Sequence, residues 1–268
     1  MRDNEAVRKA VQGAWGVFLV TDYFSAKRVP IQSKDDADED IIGKSIVDIA
    51  VECGVQHFVY SALPNATEVS HGKYANTDHF DKKAAVEAYL RSKTPNWTIV
   101  VPGMYYSMFD QLVRPAGDQF EFALPIPASA KLPLADITPD MRSLVCKVFE
   151  NSTKTIGHVY VCSPVEPQPI SSLLPVFKKI TGKALEYHEL DKASFHKYMD
   201  PLRGPIVSTD LYEMFNFYND FEFGTLEGRK ATRQLTFNHN LFIFLNLVEK
   251  RVLITTWEDY LKRSDFVK

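Results

Sequence analysis

Cysteine is scarce: Cys53, Cys146 and Cys162 are the only three in 268 residues, and none forms a CxxC pair. That pattern excludes a disulfide framework or a zinc ribbon and suits a reducing compartment. Long apolar runs are missing as well. The longest, Leu241-Phe-Ile-Phe-Leu245, stops at Asn246, far short of the roughly 18 residues of a membrane span. The opening MRDNEA is polar and has no signal-peptide core. Neither sign of charge dominates: 31 Lys and Arg face 34 Asp and Glu for a net charge of -3, which argues against sequence-independent binding of nucleic-acid phosphates. No GxSxG elbow, no HExxH and no cysteine beside an evident base is present. A glycine-rich phosphate loop is absent too. Gly13-Ala-Trp-Gly16 has the wrong spacing and precedes an apolar run instead of following one.

What is there reads as an ordinary globular chain, 45% hydrophobic and 24% charged. Its length allows one large domain or two small ones. A helix is expected over about 5–12, then a buried strand over 15–20, bounded by Gly13 and by Thr21-Asp22. The acidic stretch 33–40 reads as a solvated loop leading into a helix over 40–52, with Ile42, Ile46, Ile49 and Ala50 on one face and Gly54 at its end. Strand 57–61, helix 77–92 and strand 97–101 follow. Strand–helix alternation at this spacing predicts a parallel, doubly wound α/β sheet. After Tyr106 the prolines at 115, 125, 127, 133 and 139 punctuate short extended pieces, one over 120–124. A helix over 140–149 and a strand over 158–162 return to the sheet. Helices over 170–181, 192–199, 209–221 and 256–263 then make a smaller, mainly helical lobe. The expected division is a core of 1–165, with an excursion at about 107–135, and a C-terminal lobe of 166–268.

In open parallel sheets ligands bind beyond the carboxyl ends of the strands, which draws attention to Thr21-Asp22-Tyr23, Ser61-Ala62-Leu63, 102–107 and Ser163-Pro164. The sharper feature is His79-Phe-Asp-Lys-Lys83. His79 and Lys83 are four apart and share a helical face. A proton-transfer group followed at that spacing by lysine is the arrangement of short-chain dehydrogenases, where tyrosine fills the first position. The lysine there can hold a ribose and lower the pKa of the acid. An exposed basic face on an amphipathic helix explains the same spacing without chemistry.

Taken in order, these segments resemble the NmrA-like family, atypical short-chain dehydrogenases best known as NADP-sensing regulators. The residues that carry the resemblance are Gly13-Ala14, 17–23, Gly43-Lys44, 54–61, 79–83, Glu87-Ala-Tyr89, 102–106, Asp136-Ile137, Thr181-Gly-Lys183 and 256–261. The resemblance implies a Rossmann-like sheet with NADP beside Thr21 and Asp22. It matches Lys44 and Lys83 to lysines that contact the cofactor, and Met104, Tyr105, Tyr106 and Ser107 to the segment passing the nicotinamide. The family often ends that segment with asparagine, where Ser107 or Met108 stands here. As catalytic residues it implies Lys83, His79 and Tyr105, with His79 in place of the tyrosine, a poorer match for hydride chemistry. No metal is implied.

The resemblance departs at the start. The family's opening strand, GATGxxG-type turn, helix and arginine-bearing second strand have no counterpart, so the expected sheet is a partial, N-terminally truncated one that binds NADP weakly. Residues 17–20 then form an exposed edge strand. Three explanations stand open: the missing half is supplied elsewhere, two copies dimerise along the edge, or the chain is a gene-model or splicing fragment. The apolar stretch 237–251 reads as a helix or as translated non-coding sequence. The expected function is an NADP(H)-sensing regulator, cytoplasmic or nuclear, with a protein partner such as a transcription factor and no direct contact with nucleic acid or membrane. The alternatives are an NADPH-dependent reductase of a small carbonyl, enone or quinone, and a nucleotide-independent interaction module.

Overall fold

Four short apolar runs become the strands of one parallel sheet. β1 (Gly16–Leu19), β2 (His57–Ser61) and β3 (Trp97–Pro102) lie side by side in chain order, and the strand Val159–Cys162 adds beyond β3. The computed structural model describes residues 3–24, 38–221, 223 and 254–267. In register, Leu19 stands opposite Tyr60, Ser61 opposite Val100 and Val101 opposite Val161. Parallel neighbours need crossover connections. Here they contain the helices α2 (Glu39–Glu52) and α4 (Asp78–Lys93), with α1 (Asn4–Val11) and the short α3 (Ala66–Val69) completing the first hundred residues. Asp3 caps α1 by accepting from the Ala6 N–H, and Gly54 follows α2 at a φ of +75° that favours glycine.

Alternation along the strands divides the core between the two faces of the sheet. Phe58, Tyr60, Ile99, Val101 and Val161 pack with Ile46, Val47 and Ala50 of α2 and with Val86 and Leu90 of α4. Val59, Val100, Tyr160 and Cys162 pack on the other face against Met141, Leu144, Val145 and Val148 of the helix Ile137–Glu150. β1 pairs only with β2 among the described residues, the edge position that its place in the chain predicts. Trp15, Phe18 and Val20 stand exposed along it.

Three features differ from the sequence reading. Glu39, expected in a solvated acidic loop, opens α2 and is 1% exposed, because its helical phase turns it inward with Ile42 and Ile46. Residues Leu185–Glu189, expected within a helical lobe, form a strand. That strand lies parallel to Gln119–Leu124, which pairs on its other side with Arg114–Ala116. The excursion after β3 is therefore built into the C-terminal lobe. Helices also run past prolines: Pro201 lies inside Lys192–Arg203, and Pro205 starts Pro205–Asp220 at a position where its missing N–H is harmless. Residues 33–37 and 237–251 lie outside the described residues. One apolar cluster runs without a break from Leu19 through Phe122 and Phe177 to Phe215 and Leu261, joining sheet and lobe.

Candidate functional site

The carboxyl end of β1 delivers Thr21, and the first turns of α4 deliver His79 and Lys83. Gly43 lets α2 and α4 close on each other: a Cβ there would lie 2.6 Å from Val86 Cγ2 and 3.4 Å from Thr21 Cγ2. This approach brings Glu39 of α2 to Lys83 of α4. Lys83 Nζ donates to Glu39 Oε1 at 2.5 Å, to the Thr21 carbonyl at 2.5 Å and to Thr21 Oγ1 at 3.1 Å. An ammonium has three donors, and all three are engaged. Thr21 Oγ1 also shares a hydrogen bond of 3.0 Å with the Tyr60 hydroxyl. Burial pushes the Tyr60 phenol far up, so it stays a neutral hydroxyl. The second oxygen of Glu39, Oε2, is buried with no hydrogen-bond partner among the described residues.

His79, 6% exposed, is bound through Nδ1 to Asp210 Oδ1, and its backbone N–H donates to Asp210 Oδ2 at 3.2 Å. Asp210 belongs to the lobe helix Pro205–Asp220 and is 1% exposed. The imidazole also lies in an aromatic nest, with ring centroids of Tyr23, Phe24 and Phe80 at 6.1, 5.5 and 4.7 Å. The bond to Asp210 assigns the proton at Nδ1, with Nε2 as the ring nitrogen outside that bond. The same lobe helix is fastened twice more. Glu213 accepts from Asn76 Nδ2 at 2.6 Å and from its N–H at 2.7 Å, and Asp220 pairs with Lys73 at 2.5 Å.

The other residues expected at the site divide. Asp22 is exposed and accepts from the Phe24 N–H at 3.0 Å. Tyr105, 38% exposed, lies three residues past the end of β3 and has its phenol pushed up by burial and, less, by the charges of Cys162 and Asp22. Lys44 is set apart: its ammonium binds Asp40 at 3.1 Å, and Asp40 also faces Lys82 at 3.4 Å. Met104 is buried and paired opposite Leu134. Tyr106 turns into the lobe, stacked at 5.3 Å on both Trp257 and Tyr260. Ser107 is exposed in the following turn. The structure thus gathers Thr21, His79, Lys83 and Tyr105 near the strand ends, and adds Glu39, Tyr60 and Asp210, which the sequence reading missed.

Two observations test the site against a nicotinamide dinucleotide. Lys83 has no donor left for a ribose hydroxyl. Among the described residues, the one glycine directly after a strand of the four-stranded parallel sheet is Gly103, where a Cβ would fall 1.9 Å from the Pro133 carbonyl oxygen, so its bare face is already filled. The glycines at positive φ, such as Gly54, Gly157 and Gly182, stand in helix ends and turns instead. The described residues therefore provide no pyrophosphate cradle and do not fit the complete dinucleotide.

Residues 1–241 match the NmrA-like family. The chain belongs to that family. An NmrA-like family domain-containing protein of Dictyostelium discoideum is 24% identical over 274 residues, covering 98% of this chain and 79% of that protein. The NmrA-like family domain-containing oxidoreductase hkm9 of Aspergillus hancockii is 27% identical over 211 residues, covering 70% of this chain and 59% of the relative. Among solved structures, NmrA, a negative transcriptional regulator in complex with NAD, has a TM-score of 0.72 at 18% identity, covering 97% of this chain and 77% of that one. The fold is that of NmrA and its Rossmann-like neighbours. No helix among the described residues is long and apolar enough to cross a membrane.

Proposed function

We propose that this NmrA-like chain acts as a regulator, with a weak NADP(H) site at the strand ends and a C-terminal lobe that contacts a protein partner such as a transcription factor. The observation that carries this reading is the His79–Asp210 pair. A general acid has to reach its substrate. His79 instead is buried and bound to a helix of the lobe, 131 residues along the chain. That arrangement suits a contact that reports the state of the site to the lobe better than one that donates protons. The NmrA structure, a regulator in complex with NAD, supports the same reading.

A reductase is the second reading. The half-exposed Tyr105, just past the end of β3, favours it, as does the naming of the Aspergillus relative as an oxidoreductase. Calorimetric titration with NADPH and NADP separates the two, combined with an NADPH-oxidation assay over carbonyls, enones and quinones. The regulator reading expects dissociation constants well above the micromolar range and no oxidation over background. Micromolar or tighter binding sinks the weak-site reading, and sustained turnover lost in Lys83→Ala establishes the reductase.

A further inference from the structure

Glu39 and Lys83 form an enclosed ion pair in the site, with side chains 0% and 13% exposed at 2.5 Å. A buried charge left unpaired is costly, so the pair holds itself closed. Glu39 Oε1 and the two oxygens of Thr21 together use every donor of Lys83. Any ligand hydroxyl or phosphate oxygen that Lys83 is to bind must first displace one of these three. The Thr21 carbonyl and hydroxyl are fixed by the chain and by Tyr60. Glu39 sits on a side chain with three rotatable bonds in the first turn of α2, and its other oxygen, Oε2, is buried without a hydrogen bond among the described residues. Burying a carboxylate with one oxygen unsatisfied has a cost, and of the three acceptors Glu39 is the one on a long rotatable side chain, able to move only as an anionic ligand oxygen replaces it on Lys83.

We propose that Glu39 is an internal competitor for the nucleotide: an autoinhibitory carboxylate that occupies the Lys83 position a ribose or phosphate oxygen would take. The proposal rests on the weak-site reading above and gives it a cause in a single side chain. Affinity at this site is set by how readily Glu39 leaves Lys83. A partner or modification that draws α2 away from α4 raises it.

The test titrates NADPH fluorescence against the wild-type chain, Glu39→Gln and Glu39→Asp, with circular dichroism to verify folding. Gln removes the charge. Asp keeps it but is one methylene shorter. A hydrogen bond to a charged group is worth about a factor of ten or more in affinity, so Glu39→Gln is expected to bind NADPH at least about tenfold tighter than wild type, with Glu39→Asp between them. A second measurement needs no variant: acetylation of the unliganded wild-type chain, read by mass spectrometry, labels Lys83 much more slowly than Lys44. Folded Glu39 variants that bind no tighter than wild type overturn the proposal, as does wild-type Lys83 labelled as fast as Lys44. Micromolar binding by the wild-type chain counts separately, against the weak-site reading, because the ranking of the variants still decides the role of Glu39.

Discussion

Two carboxylates, Glu39 and Asp140, are each 1% exposed, one in the helical layer on either side of the sheet, and they are compensated in different ways. Glu39 meets an ammonium. Asp140, in the first turn of the helix Ile137–Glu150, meets neutral donors: the Asp136 N–H at 2.9 Å, the Thr255 N–H at 3.1 Å and Thr255 Oγ1 at 2.8 Å. Burial lifts the Asp140 pKa to about 6, with the Thr255 bonds and the Asp136 N–H opposing it. The strand-end site thus holds its negative charge by pairing it. The joint between core and lobe holds its own with dipoles alone, and so it titrates near neutrality. Charge pairing closes the candidate site; dipole pairing leaves the joint sensitive to pH.

The comparison breaks most visibly if the cation is removed. Lys83→Met leaves the Glu39 carboxyl buried without its counter-charge, a change expected to cost about 3–5 kcal/mol at pH 7. Urea melts of this variant should show the full loss. The double variant Lys83→Met, Glu39→Leu should recover most of it, since replacing both partners by apolar groups is often close to neutral. A Lys83→Met protein as stable as wild type would mean that the ion pair does not hold α2 against α4.

The second effect concerns acidity. Asp140 binds its proton more tightly folded than unfolded, at about 6 against 3.8. Its contribution to stability is therefore complete below about pH 4 and is lost as pH rises through 6, by at most about 3 kcal/mol. Asp40 works in the opposite sense. Its burial is outweighed by Lys44 and Lys82, so its pKa falls below 3.8 and its contribution is present above that value and lost in acid. Wild-type stability measured from about pH 2 to 7 carries both slopes. Asp140→Asn should remove the fall toward neutrality and leave the acid-side loss in place, and an unchanged profile would show that Asp140 stays charged throughout.

Much of this frame was legible in the sequence, and the omissions have physical causes. The runs HFVYS and ISSLLPVFKKIT are bounded by turn residues, and their ends match the observed strand and helix. The four-residue spacing of His79 and Lys83 put them on one face of a helix, and both lie in the first turns of α4. Glu39 was hidden by composition: among Asp35, Asp36, Asp38 and Asp40 it looked like one more solvated acid. A signal was nonetheless present, because Glu39 precedes Ile42 by three and Ile46 by seven, the phase of the buried face of α2. Asp210 had no such signal. Its partner lies 131 residues away, and no local pattern encodes a contact that only the packing of the lobe creates. Leu185–Glu189 was missed because a five-residue run carrying Glu186, His188 and Glu189 lacks the apolar weight of a sheet-core strand.

The smallest effect sharpens the comparison at its neutral end. Thr255→Val removes the hydroxyl that donates to Asp140 Oδ1 while the backbone N–H of residue 255 still reaches both carboxylate oxygens. The lost bond acts on the ionised carboxylate and works against the burial that raises its pKa. Removing it should move the Asp140 midpoint above 6 and cost about 1 kcal/mol at pH 8. At pH 4, where Asp140 is protonated in both wild type and variant, the hydroxyl has no charge to stabilise and the cost should shrink to a few tenths. Denaturant melts at the two pH values measure this directly. Equal losses at both would show that Thr255 contributes by packing, and that the joint is insensitive to the proton.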